Sequence, residues 1–119
     1  MNNFKSIGRY LFTVPFALFG LMHLMMANDM AGMVPTWLPG GVFWVYLTGL
    51  ALIAAGVSFV IQKHTYLAGL LTAALMLVFV LTIHLPGVIG GNMMAMSGLL
   101  KDLGLAGGAL MLASNYQQD

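Results

Sequence analysis

Four stretches of this chain are apolar for long enough to cross a lipid bilayer, and only short breaks separate them. They run near residues 10–26, 42–61, 66–85 and 93–113. Each approaches the ~20 residues that a helix needs to cover the hydrocarbon core. Lipid cannot satisfy an open backbone N–H or C=O, so stretches of this kind must be helical. The breaks carry the opposite chemistry. Residues 27–41 hold Asn28, Asp29, Pro35, Trp37, Pro39 and a Gly pair; then come the turn Gln62-Lys63-His64-Thr65 and the segment 86–92 with Pro86 and three Gly. The expected fold is all-α, a transmembrane four-helix bundle forming one domain over residues 1–119.

Charge supports the same class. Four Lys or Arg and three Asp are the only charged residues among 119, or 6%, where a soluble domain carries roughly 25%. Mean hydropathy is +0.95. Too few charges exist to cover a water-facing surface. The chain has no Cys, which excludes disulfides, thiolate metal sites and thiol chemistry. A net charge of +1 without a basic cluster excludes a nucleic-acid surface. Lys5 and Arg9 precede the first span and Lys63 follows the second. Loop cations favour the cytoplasmic side, so both termini are expected there. The first span lacks a signal-peptidase pattern at Leu24-Met25-Met26-Ala27 and reads as an uncleaved anchor. Gly104 and Gly108 lie four residues apart, a spacing at which helices approach closely, and would serve a homo-oligomer.

Ionisable groups at membrane depth are expensive and therefore point to function. Four qualify: His23, His84, Lys101 and Asp102. At 1.5 Å per residue, His23 stands about 20 Å and His84 about 27 Å from the cytoplasmic ends of their helices. Lys101 and Asp102 lie about 12–14 Å below the far surface. All therefore gather in the outer half, on three helices. Neighbours on a helix point about 100° apart, so Lys101 and Asp102 cannot pair ideally. The expected partner of Asp102 is His23, whose tautomer a carboxylate would fix. His84 precedes Leu85-Pro86-Gly87 and reads equally as a group at the end of the third helix or as a site residue. Two histidines on separate spans would also suit axial ligation of haem iron, but depths about 7 Å apart disfavour it. No set of metal ligands is expected.

Several motifs then carry a resemblance. The end of the first span, Gly20-Leu21-Met22-His23-Leu24, is followed by Val34-Pro35-Thr36-Trp37-Leu38-Pro39 and Trp44-Val45-Tyr46-Leu47-Thr48-Gly49. The last span contains Lys101-Asp102-Leu103-Gly104-Leu105-Ala106-Gly107-Gly108. In this order they resemble the DoxX family of small bacterial four-span membrane proteins. That resemblance implies a membrane subunit of a quinone-linked oxidoreductase in the inner membrane, with a redox protein as partner. It would make Asp102, Lys101 and His23 catalytic, with His23, His84, Lys101 and Trp37 holding the quinone. The family often carries an acidic residue after the Thr-Gly pair of the second span, where this chain has Leu50-Ala51-Leu52-Ile53-Ala54. The chain supplies no flavin or thiol to carry electrons. The alternative is a non-catalytic membrane anchor or assembly subunit in which Lys101 and Asp102 form a structural pair. A small transporter of the drug-efflux kind is disfavoured because the chain has no Glu.

Overall fold

The computed structural model describes residues 3–116, and these form helices joined by short turns. The first is α1 (Asn3–Met25), followed by a single turn, α2 (Ala27–Met30), and a 3-10 turn at Ala31–Met33. After an irregular connector come α3 (Val42–Ile61) and α4 (Thr65–Phe79). A π-helical turn at Val80–His84 then leads into α5 (Leu85–Ile89), and α6 (Met94–Asn115) closes the chain. The stretch from α4 to α5 runs as one span, Thr65–Ile89, so four helices are long and apolar enough to cross a membrane. The all-α four-helix bundle is therefore present. Its long axis measures 44 Å.

Two boundaries differ from those read in the sequence, each for a physical reason. Helix α1 begins at Asn3 rather than near residue 10, because its first turns project beyond the apolar run and meet the end of α6. There the Lys5 ammonium donates to the Asn115 carbonyl at 3.2 Å and lies 4.4 Å from the Tyr116 ring centre. The third span was expected to stop at Leu85, ahead of Pro86. It continues instead to Ile89, because the π turn delivers Pro86 into the first turn of α5. A first-turn proline lacks only an N–H that would be unbonded in any case.

The helices pack as two pairs. Helix α1 lies along α3 and α4 along α6. Within the first pair the closest approach is at Gly20 and Gly49. A Cβ on Gly20 would fall 2.9 Å from the Gly49 carbonyl oxygen, and one on Gly49 would fall 2.9 Å from that of Gly20. In the second pair Gly69 meets Ala109 and Ala113 in the same way. Small residues are the usual means of bringing backbones together in lipid, where no hydrophobic force pulls helices onto each other. A shared core of Phe16, Leu52, Ala73, Met76, Ala106 and Ala109 joins the pairs. Phe12 seals it by lying over Gly108, whose added Cβ would stand 2.9 Å from the ring. An added Cβ on Gly108 would thus meet its own chain, while one on Gly104 would meet nothing within 4 Å.

The terminal end of the bundle holds an enclosed cation. Arg9 is only 5% exposed, and its guanidinium donates to the carbonyls of Phe59 and Val60 at 2.8 and 3.1 Å. Those carbonyls belong to the last turn of α3, where backbone acceptors lack helical partners and carry partial negative charge. The Tyr10 ring covers the guanidinium at 4.5 Å. The sequence marks Arg9 as a topology signal; its side chain also closes a helix end.

Candidate functional site

Toward the connector end the two pairs leave a cleft of about 990 Å³ between them. Phe12, Phe16 and Phe19 of α1, Leu75 and Phe79 of α4, and Leu105 of α6 make its walls apolar. The connector contributes the rim through Met30, Met33 and Pro35, with Trp37 beside them. His23, His84, Lys101 and Asp102 all border this one space. The residues singled out from the sequence are therefore brought together, although not in the expected pairing.

Asp102 does not meet His23. Its Oδ2 lies 2.8 Å from Nε2 of His84, a distance typical of a charge-assisted bond. The π turn explains this. An extra residue per turn carries the span past Pro86 and rotates His84 inward, so it does not end the span. Single π turns inside helices commonly mark functional sites. Gly98 on α6 completes the arrangement. A Cβ there would stand 2.6 Å from Cε1 and 2.7 Å from Nδ1 of His84, so only glycine leaves room for the ring. Asp102 itself is 3% exposed, which makes these partners necessary, because a buried carboxylate without them is strongly disfavoured.

Lys101 reaches Oδ1 of Asp102 at 3.6 Å while remaining 53% exposed. That separation exceeds a charge-assisted hydrogen bond, as expected of helix neighbours pointing apart. The ammonium also stands 5.5 Å from the Phe19 ring centre. Asp102 is thus flanked by an imidazole on one oxygen and an ammonium on the other.

His23 is seated separately, 8% exposed on the α1 side of the cleft. Its Nδ1 lies 2.8 Å from the Phe19 carbonyl one turn back. A carbonyl only accepts, so Nδ1 donates and carries the ring proton. The Phe19 ring meets the imidazole edge-on at 4.8 Å. Gly49 makes room for this residue too, since a Cβ there would stand 2.7 Å from the His23 Cβ. Trp37 is 71% exposed on the rim, whereas Trp44 turns its indole N–H to the Pro39 carbonyl.

Comparison with known proteins adds one finding. The family model described as a domain of unknown function (DUF8561) matches residues 12–103. The chain belongs to this family. The matched stretch includes His23, His84, Lys101 and Asp102. No curated protein and no solved structure matches the chain.

Taken chemically, the cleft offers aromatic and aliphatic walls for a flat lipophilic ring. It also offers imidazole, carboxylate and ammonium groups that can hold ring oxygens and exchange protons. Axial ligation of haem iron through Nε2 of His84 would displace its bond to Asp102.

Proposed function

We propose that this protein binds a quinone or similar lipophilic redox molecule in the cleft, as the membrane subunit of a quinone-linked oxidoreductase system. The observation that carries the reading is the convergence of His23, His84, Lys101 and Asp102 on one apolar cleft of about 990 Å³. Quinone conversion moves two protons with two electrons, and this set of side chains suits the proton half. Nothing in the chain suits the electron half, so a redox protein partner supplies it. The motif resemblance to DoxX proteins supports the same direction. On this reading the chain resides in the bacterial inner membrane with both termini cytoplasmic, in keeping with Lys5 and Lys63 at one end of the bundle. His23 and Asp102 handle protons, Lys101 stands beside Asp102, and Trp37 guards the rim.

The test is extraction of quinone from the purified protein. Wild-type protein should retain about one molecule per site, and His23→Phe or Asp102→Asn should retain less than about a tenth of that. Unchanged retention in both folded variants would sink the reading and favour a non-catalytic anchor whose polar cluster only joins helices.

A further inference from the structure

We infer that the cleft selects the reduced, dihydroxy form of its ligand, a hydroquinone or catechol, over the dicarbonyl form. This rests on the preceding reading that the cleft holds a quinone-type molecule. The two forms differ in hydrogen-bond sense: a ring hydroxyl donates, whereas a quinone carbonyl only accepts. A site therefore chooses between them by whether its free groups are acceptors or donors.

The enclosed groups here are acceptors. Because Nδ1 of His23 donates to Phe19, the neutral ring presents Nε2 as a bare lone pair. Among the described residues, the one hydrogen bond of the His23 ring is at Nδ1, and the residue borders the cleft. On the opposite helix pair Asp102 presents a carboxylate, which accepts and cannot donate. Most donors along the same walls are already spent. The Trp44 indole N–H is given to Pro39 and the Thr82 hydroxyl to Val78. The Lys101 ammonium keeps free donors, but at 53% exposed it stands outside the enclosed set. The Thr48 hydroxyl can turn to serve either form, and the Trp37 indole stands at the exposed rim. A hydroquinone finds an acceptor at each enclosed position. A quinone brings its oxygen lone pairs against those of His23 and Asp102, leaving buried polar atoms unpaired on both sides.

The test is calorimetric titration of the full-length protein in detergent, without oxygen, using a short-chain alkyl hydroquinone and the matching alkyl quinone. The hydroquinone should bind at least about tenfold more tightly, the scale set by sites built to pair a hydroxyl. His23→Phe keeps the bulk of the ring but offers no lone pair, and should bring the two affinities together. Asp102→Asn introduces an amide donor and should shift the ratio toward the quinone, which keeps a second variant available if the first does not fold. Equal affinities in the unchanged protein, or tighter quinone, overturn the preference while the quinone-type site stands. Binding of neither form overturns both readings. A full preference surviving in folded His23→Phe overturns the role given to that lone pair.

Discussion

Arg9 and Asp102 are both charged side chains enclosed in an apolar bundle, and the fold treats them in opposite ways. One terminal nitrogen of Arg9 donates to two backbone carbonyls at the end of α3, groups that neither titrate nor move without unwinding the helix. Asp102 is satisfied by His84 and approached by Lys101, side chains that exchange protons, and it borders open space. The first arrangement uses a charge to finish a helix. The second keeps a charge available beside a cavity. Burial alone therefore does not identify a functional charge; the chemistry of its partners and the space beside it do.

Three substitutions would break or sharpen this contrast. The largest effect is expected for Arg9→Met, which removes two hydrogen bonds from a charged donor and should lower stability by about 3 kcal/mol. Thermal unfolding in detergent would measure it, and ligand affinity of the folded protein should stay unchanged. A loss of affinity at equal stability would mean that the two ends are coupled. Next comes Gly98→Ala, whose methyl group must displace the His84 ring. Overpacking of this kind costs about 2 kcal/mol, and here ligand binding should fall as well. The double variant with His84→Ala relieves the clash but leaves Asp102 without its hydrogen-bond partner, so neither stability nor binding should return in full. Restored stability and binding together would show that His84 is not part of the site. The smallest effect is expected in the turn after α3, where Gln62 adopts a left-handed conformation at φ 57°. Gln62→Gly should raise stability by about 1 kcal/mol with no change in binding, again by unfolding and titration.

Much of the fold was legible because apolar run length is a direct physical signal. The second span was read as 42–61 and is found at Val42–Ile61. The gathering of His23, Lys101 and Asp102 near one end followed from counting residues along helices. The pairing did not. It depends on a π turn, and nothing in Val80-Leu81-Thr82-Ile83-His84 distinguishes that turn from an ordinary helix, while Pro86 is a strong but here misleading stop signal. Gly98 was missed because a single glycine among 15 becomes informative only when its neighbour is known. The enclosure of Arg9 was hidden for a related reason. A cation near a span end ordinarily extends toward water, and only the position of the α3 terminus brings it inward.

The two site histidines share a feature whose effect reaches beyond fit. His23 rests against Gly49 and His84 against Gly98, so each imidazole is anchored on the neighbour within its own helix pair. Neither is tied across the cleft. The distance between the imidazoles is therefore governed by the angle between two stiff bodies rather than by rotamers, as the gap of a pair of tongs is governed at its pivot. The two pairs meet through the shared core, beside which Phe12 of one packs over Gly108 of the other. Because Phe12 is also a wall of the cleft, a change in its bulk would alter both that angle and the width of ring the cleft accepts.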